Sequence, residues 1–215
     1  PEVRGDWEER TRRTKEAMAD SRAAVMLSQV QPHFLYNSLI GIKQLCDTEP
    51  GKASDALQHF CNFLKQNMES LSDRNLIPFE REMAHVQEFL YLEQMRFGER
   101  VKVETEILES DFRLPSLTLQ PMVENAVHHG IMKKKGSGTV TIKTEKKEDD
   151  IVITIADDGA GFDVHHVRDD GRMHLGIANV RKRLEIQCGG SLLIESELGT
   201  GTVVTMILPQ RRNGI

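Results

Sequence analysis

The sequence has no apolar stretch long enough to cross a lipid bilayer. Hydrophobic residues make up 39% and charged residues 28% of its 215 positions, and no uninterrupted apolar run approaches the roughly 18 residues that a membrane helix requires. An amino-terminal secretory signal is missing as well. A chain of this length and composition can bury a real core, either as one large domain or as two small ones.

Excess positive charge and paired cysteines are also missing. The formal net charge of −5 gives no reason to expect nucleic acid or an anionic membrane surface as a partner. The cysteines Cys46, Cys61 and Cys188 form neither a CxxC pair nor a zinc-binding spacing. We therefore expect them to be free thiols in a reducing compartment.

The amino-terminal third has the spacing of helices. A first apolar stripe repeats at intervals of three, four or their sums: Ala23, Leu27, Val30, Phe34 and Leu45. Pro32 interrupts this stripe and predicts a local kink, whereas Glu49-Pro50-Gly51 predicts a turn. A second stripe runs from Ala53 to Leu71. Two amphipathic helices joined by a tight turn cannot bury their apolar faces alone, so we expect a second copy of the chain to complete a four-helix bundle.

The rest of the sequence mixes helical and strand periods. A third helix is predicted from Pro78 to about Phe97, with Gly98 as its stop. Further helices are predicted over 116–129 and 176–187, and strands over 101–107, 139–144, 151–156, 191–195 and 202–208. Helices combined with mostly antiparallel strands indicate an α+β sandwich. We place the domain boundary near Gly98–Val101, which separates a helical region, residues 1–98, from a sandwich domain, residues 99–215.

The first of four polar clusters is Glu124-Asn125-Ala126-Val127-His128-His129-Gly130. On a helix, Asn125 shares a face with His128 and His129, which follow it by three and four residues. A carboxamide oxygen suits Mg²⁺ as a ligand, and nearby basic groups suit phosphates. Alone, this cluster is a weak signal, because an asparagine on a helix more often caps it or lies on its surface.

The second cluster, Ala156-Asp157-Asp158-Gly159-Ala160-Gly161-Phe162, directly follows a predicted strand. Its glycines allow the chain to turn sharply and to approach a ligand closely. Asp157, at the end of the strand, could accept a hydrogen bond from an exocyclic amine. An acidic hairpin turn explains the same residues equally well.

The third and fourth clusters are also glycine-rich. Gly171-Arg172-Met173-His174-Leu175-Gly176-Ile177 precedes a predicted helix, and Gly176 at a helix start would leave backbone N–H groups free for phosphate oxygens. The segment from Phe162 to Leu175 is either an ordinary polar loop or a mobile one that closes over a nucleotide. Gly199-Thr200-Gly201-Thr202 is either a simple β-turn or the source of a hydroxyl, that of Thr202, near a base.

In this order and spacing, the clusters resemble the N, G1, G2 and G3 boxes of the GHKL, or Bergerat, ATPase fold that gyrase, heat-shock chaperones, histidine kinases and mismatch-repair proteins share. The resemblance covers about residues 104–209. It implies an α/β-sandwich domain that binds ATP and Mg²⁺, with Asn125 on the metal, Asp157 on the adenine amino group and Thr202 near the adenine. The further nucleotide-binding residues that it implies are His128, His129, Gly159, Gly161, Gly171, Leu175, Gly176 and Gly201.

The upstream sequence resembles one branch of that group. The segment Gln31-Pro32-His33-Phe34-Leu35-Tyr36-Asn37-Ser38-Leu39 is similar to the phosphoacceptor box of LytS/YesM-type sensor histidine kinases. The stretches 91–97 and 119–126 are similar to the same family. The resemblance implies that His33 accepts the phosphoryl group. We predict that Asn37 and Glu124 assist its chemistry.

Two positions depart from wider patterns. Many histidine kinases carry an acidic residue directly after the phosphoacceptor, where this chain has Phe34, so a general base must come from elsewhere; Glu124 is our candidate. Hydrolytic members of the ATPase fold place a glutamate four residues before the metal-binding asparagine, where this chain has Pro121. This favours transfer to His33 over fast ATP hydrolysis.

The resemblance also implies partners and a location. It implies a homodimer, and a response regulator whose receiver domain takes the phosphoryl group on an aspartate. The first residue is Pro1 rather than Met, which suggests a piece of a longer protein: the cytoplasmic part of a bacterial inner- or plasma-membrane sensor that makes no membrane contact itself. The alternatives are an ATP-hydrolysing conformational machine, which Pro121 and the His33 segment disfavour, and a catalytically dead dimeric scaffold, which the intact nucleotide-binding set disfavours.

Overall fold

The computed structural model describes residues 32–70, 75–163 and 171–210, with residues 171–175 described by their backbone only. The chain separates into two compact units, Pro1–Ser72 and Asp73–Ile215. This division precedes the boundary that the sequence predicts near Gly98–Val101. The predicted helix over the first thirty residues, its seam residues Leu27 and Val30, and any kink on the amino-terminal side of Pro32 lie outside the described residues.

The described part of the first unit is a helical hairpin. Helix α1, Pro32–Thr48, and helix α2, Pro50–Ser70, are separated by Glu49 alone. Pro50 and Gly51 belong to the first turn of α2, where a missing N–H costs nothing. The helices are antiparallel, because Phe34 near the start of α1 packs on Phe63 near the end of α2, with ring centroids 4.9 Å apart. The tight turn that the sequence predicts is confirmed.

The second unit begins with a short strand and the third helix. Strand β1, Leu76–Pro78, leads into helix α3, Phe79–Phe97. The helix ends at Gly98, whose φ of 56° is the left-handed conformation that suits glycine. Helix α3 packs within this unit, where it contacts the helix that follows it and strand β2, Val101–Ile107.

The main sheet has five strands in the order β2-β4-β5-β7-β6. The remaining members are β4 (Gly138–Lys147), β5 (Asp150–Asp157), β6 (Ser191–Glu197) and β7 (Gly201–Pro209). Strands β2 and β4 are parallel and the other neighbours are antiparallel. Strand β3, Arg113–Pro115, pairs with β1 in a separate two-stranded sheet that the sequence analysis did not predict.

Helices pack on one face of the main sheet and complete the predicted α+β sandwich. Helix α4, Leu119–Asn125, continues into one π-helical turn, Ala126–Gly130, and helix α5 spans Gly171–Cys188. Alternate strand residues point at these helices. Fully buried between the two layers are Ile142, Ile153 and Met206 from the strands and Val123, Val127 and Leu184 from the helices. In the part of the chain that the structure describes, no helix is both long enough and apolar enough to span a membrane.

Candidate functional site

A cavity opens between the helices and the sheet of the second unit. Each of the four sequence clusters contributes to its wall. The polar lining residues are Asn125, His129, Asp157 and Thr202, and the apolar ones include Met122, Ile155, Phe162, Ile177, Ile194 and Val204. A mostly apolar cavity with a few convergent polar groups is the usual form of a small-molecule site.

Asp157 is the buried acidic group of this cavity. It ends β5, and its side chain accepts a hydrogen bond from the Gly159 backbone N–H through Oδ1, at 2.9 Å. Only 8% of the residue is exposed, and burial raises the pKa of its carboxyl to about 6, against an opposing effect of the Gly159 and Thr202 backbone N–H groups. The Gly159 bond fixes the carboxylate, so that it can present an acceptor to an amine in the cavity.

The raised pKa of Asp157 predicts a pH-dependent cost to stability. Below the ordinary pKa of 3.8 the buried carboxyl is neutral, and the free energy of unfolding is at its full value. As pH rises through about 6 the buried carboxyl ionises, and this part of the unfolding free energy is lost. We therefore expect Asp157→Asn to raise the unfolding free energy of the ligand-free protein by about 1–2 kcal/mol at pH 8 and to have little effect at pH 4. Urea unfolding at both pH values measures this. Asp111→Asn, at an exposed aspartate, is the control; equal stabilisation of Asp157→Asn at both pH values would contradict the prediction.

Glycines allow three loops to meet beside Asp157. A Cβ on Gly159 would overlap the backbone of Gly130, at the end of the π-helical turn. Gly161 has φ +58° and Gly201 has φ +124°, and a Cβ on either would overlap a carbonyl of a neighbouring strand end. Only glycine permits these close approaches between backbone segments, whereas the approach of Gly159 and Gly161 to a ligand stays a prediction.

Ser196 connects two walls of the cavity, a role that the sequence does not predict. Its hydroxyl donates to the Gly201 carbonyl at 3.0 Å, accepts from the Phe162 backbone N–H at 2.9 Å, and lies 2.9 Å from Thr202 Oγ1. Thr202 itself pairs with Asp157 in the register of β5 and β7. Ser196 therefore holds the Thr202 hydroxyl and the Phe162 loop in fixed positions.

The two histidines after Asn125 diverge. His129 lines the cavity with Asn125, whereas His128 faces helix α3, with its Nε2 3.6 Å from Glu93 Oε2 and its ring 6.0 Å from that of Phe89. The sequence predicts that all three residues share one α-helical face. The π-helical turn over 126–130 changes the angular spacing between residues, so only His129 lies on the same face as Asn125.

Glu124 is a half-buried residue of the cavity-lining helix α4 and accepts a hydrogen bond from Gln120 Nε2 at 2.6 Å. Burial raises the pKa of Glu124 to about 7. Burial likewise raises the pKa of Glu93 to about 7; Arg96 opposes this shift and the charge of Glu124 adds to it. Glu124 does not line the cavity, so its role as a general base stays a prediction.

Gly176 is not at a helix start, contrary to the sequence prediction. Helix α5 begins at Gly171, so the Gly176 N–H lies beyond the four amides that a helix leaves free. Arg172, Met173 and Leu175 are good helix formers, which explains why the helix extends upstream through this glycine. The free amides of α5 belong to the turn that starts at Gly171. Residues 164–170, for which the sequence leaves open an ordinary polar loop or a mobile loop that closes over a nucleotide, lie outside the described ranges.

His33 lies in the first turn of α1 and is exposed. The side-chain nitrogen of Asn37, one turn later, is 2.9 Å from His33 Nδ1 and 3.0 Å from Nε2. Phe34 points the opposite way and is 4% exposed against Phe63. The residue after His33 is therefore part of the hairpin core, which explains why no acidic group stands there.

The cavity residues fit a magnesium ion that is held mainly by nucleotide. Among the residues that the structure describes, no three His, Cys, Asp or Glu side chains come together as a metal cage. Mg²⁺ usually takes one or two protein oxygens and fills its other positions with phosphate oxygens and water. The Asn125 carboxamide in the cavity wall supplies one such oxygen.

Comparisons with known proteins agree with this geometry. Residues 21–101 match the family model described as histidine kinase, and residues 111–212 match the model described as histidine kinase-, DNA gyrase B-, and HSP90-like ATPase. Protein YwpD of Bacillus subtilis (strain 168) is 34% identical over 191 residues, which cover 86% of this chain and 69% of YwpD.

Two named sensor proteins are also similar. Sensor histidine kinase YpdA of Escherichia coli (strain K12) is 30% identical, over 96% of this chain and 37% of YpdA. Sensor protein LytS of Bacillus cereus is 30% identical, over 90% of this chain and 35% of LytS. The chain thus spans little more than a third of the length of these two relatives.

Solved structures share the fold. The histidine kinase domain of the Erythrobacter litoralis EL346 blue-light activated histidine kinase superposes with a TM-score of 0.52 at 20% identity, over 92% of this chain and 94% of that one. Acinetobacter baumannii histidine kinase AdeS gives 0.50 at 14% identity, over 93% and 97%. The second unit is therefore a GHKL-type ATP-binding domain. The chain as a whole belongs to the histidine kinase family.

Proposed function

We propose that this chain transfers the γ-phosphoryl group of Mg-ATP to His33 and then passes it to an aspartate on the receiver domain of a response regulator. The observation that carries the proposal is the exposed His33 imidazole, with the Asn37 side-chain nitrogen within 3.0 Å of its ring nitrogens, in a chain that also has an ATP-binding domain. The family membership supports the histidine as acceptor and the receiver domain as partner.

The chemistry follows from the residues present. A neutral imidazole keeps a lone pair on one ring nitrogen, which attacks the γ-phosphorus as the bond to the β-bridging oxygen breaks and ADP leaves. Mg²⁺, when bound, neutralises negative charge on the phosphates. Asn125 orients the metal-bound phosphates, Asp157 fixes the adenine, Asn37 holds the acceptor ring, and Glu124 is the proposed proton acceptor.

Incubation with γ-labelled ATP tests the proposal. Acid-labile, base-stable label on the protein is the expected result, because phosphohistidine has that stability. Free labelled phosphate without labelled protein would indicate a hydrolase instead, and neither product would indicate a scaffold. Pro121 stands in α4 where a water-activating glutamate would be, and this disfavours the hydrolase.

We also propose that two copies of the hairpin form a four-helix bundle. Large apolar side chains of the described hairpin remain exposed in the single chain: Tyr36 65%, Leu39 50%, Ile40 46%, Leu57 48% and Met68 56%. Their positions on both helices are those that the second copy would cover. A two-helix hairpin with such a surface needs a partner to be stable in water.

Leu57→Ala should weaken the dimer without unfolding the hairpin. About half of Leu57 is already buried in one chain, so burying the rest contributes about 1 kcal/mol per copy, and the substitution should raise the dimer dissociation constant roughly tenfold or more. Light scattering over a dilution series measures the change. Leu193→Ala is the matched control, because Leu193 is similarly exposed, at 57%, but lies in the second unit. A wild-type chain that is monomeric at micromolar concentration would contradict the dimer.

The relatives also suggest where the protein is located. The relatives LytS and YpdA are named sensor proteins, and this chain matches little more than a third of each. We propose that it is the cytoplasmic part of a bacterial membrane-bound sensor, whose sensing region lies in the remaining length.

A further inference from the structure

The turn Ser116–Thr118, just before helix α4, is held by two charged side chains that the proposed reaction does not use. Glu82 comes from α3 and Arg183 from α5. We propose that Glu82 and Arg183 are positioning residues for the Mg-ATP site, which lock this turn and thereby fix Asn125. The inference rests on the proposed function, in which Asn125 meets the metal.

Glu82 caps the start of α4 from a distance of more than thirty residues in sequence. Its Oε1 accepts from the backbone N–H of Thr118 at 2.7 Å and of Leu119 at 3.0 Å, and its Oε2 accepts from Leu117 N–H at 3.1 Å. The side chain has no exposed surface. The first amides of a helix have no partner within the helix, and a carboxylate there also suits the helix dipole. The helix carries no side-chain cap of its own.

Arg183 holds the same turn through its carbonyls. Its Nη1 donates to the carbonyl of Ser116 and, at 2.9 Å, to that of Leu117. Glu82 and Arg183 also attract each other electrostatically. The turn is therefore held on its amides by one helix and on its carbonyls by another.

The backbone of Leu117 has an unusual conformation, which the contacts with Glu82 and Arg183 hold in place. Its φ is 54°, the left-handed region that a leucine rarely adopts because of steric strain. Such a conformation persists only when its surroundings fix it. Here Glu82 binds the N–H of Leu117 and Arg183 binds its carbonyl, so both polar groups of this residue are held.

The consequence reaches Asn125 because α4 is short. The helix has 7 residues, from Leu119 to Asn125, so its start lies only about 9 Å from the metal-binding residue. A shift or rotation of the first turn moves Asn125 with it. Arg183 lies on α5, whose first turn holds the free amides near Gly171. Asp157, in contrast, is placed by β5 and by Gly159, and no part of this turn holds it.

Glu82→Gln tests the inference, since it keeps the shape but puts an amide NH₂ where an oxygen now accepts N–H groups. Titration calorimetry on the whole chain, well below each variant's melting temperature, should give a Kd for Mg-ATP at least tenfold weaker than wild type. The Kd for ADP in EDTA should stay within threefold. Glu80→Gln is the matched control, because Glu80 is exposed two residues away on the same helix.

The ratio of the two dissociation constants decides between positioning and simple support of the fold. An unchanged ratio in Glu82→Gln, even with a lower melting temperature, would overturn the proposal. Should that variant not fold, Arg183→Lys, which keeps the charge but loses the planar fork, is judged by the same ratio. If the wild-type chain binds neither nucleotide, it is the proposed function that fails.

Discussion

His33→Gln should abolish autophosphorylation and leave the affinity for Mg-ATP within about twofold of wild type. Glutamine is close to histidine in size and still bonds with Asn37, but its amide nitrogen has no lone pair able to attack phosphorus. His33 is exposed and belongs to the hairpin unit, so the substitution should not disturb the core around Phe34. Incorporation of γ-labelled ATP measures the first quantity, and titration calorimetry with Mg-ATP measures the second.

His59→Gln is the matched control, because it makes the same change on helix α2 of the same hairpin. It should incorporate label at the wild-type rate. If His33→Gln still incorporates label at a comparable rate, another residue is the acceptor, whatever the fate of the nucleotide-site assignments. If His33→Gln instead loses both label and Mg-ATP binding, His33 acts in nucleotide binding rather than as the acceptor.

The sequence predicted those features that local patterns determine. The alternation of Val140, Ile142 and Thr144 with polar residues predicts β4, and the structure buries these three residues completely. Gly98 ends α3 because it alone takes a positive φ there. The cavity-lining Asn125 and Asp157 were predicted because their clusters combine a strand or helix end with glycines, and this combination is itself local.

Contacts between distant segments were not predictable in the same way. Strands β1 and β3 have three residues each and pair across more than thirty positions, so neither has a period to detect. Glu82 and Arg183 look like surface charges of amphipathic helices until the fold places them on one turn. Ser196 is one polar residue of an alternating strand, and only the register of β6 with β7 brings it beside Thr202.

The missed helix geometry has a different cause. A three- and four-residue spacing places Asn125, His128 and His129 on one α-helical face, but the chain forms a π-helical turn there. Gly130 at the end of that turn packs against Asp157 so closely that a Cβ would overlap its carboxylate. Packing between loops thus competes with local helix spacing. In consequence His128 faces Glu93 and Phe89 instead of the nucleotide cavity.

Asn125→Ala and Asp157→Asn should weaken the nucleotide site in two distinguishable ways. Asn125 lines the cavity with a carboxamide. If Asn125 holds the metal as proposed, Asn125→Ala loses a metal ligand but no adenine contact, so Mg-ATP should bind more weakly while metal-free ADP is nearly unaffected. Phosphoryl transfer should fall roughly 100-fold or more, since it depends on the placement of the metal-bound phosphates.

Asp157→Asn converts a pure acceptor into a group that also donates. It should weaken ATP, ADP and adenosine alike by about 1–3 kcal/mol, with or without Mg²⁺.

Titration calorimetry with ATP, ADP and adenosine, each with Mg²⁺ and with EDTA, separates the two effects, and the label assay gives the transfer rates. Asp111→Asn, an exposed substitution in the same unit, should change none of them. Burial makes the Asp157 carboxylate costly to ionise in the ligand-free protein. The Asp157→Asn variant should therefore be more stable than wild type at pH 8 although it binds nucleotide more weakly. If binding were lost because the variant unfolds, its stability would fall instead. Adenosine affinity that survives Asp157→Asn would remove Asp157 from the adenine. Equal losses for Mg-ATP and metal-free ADP in Asn125→Ala would remove Asn125 from the metal, and with it the reason to expect Glu82 to act through that residue.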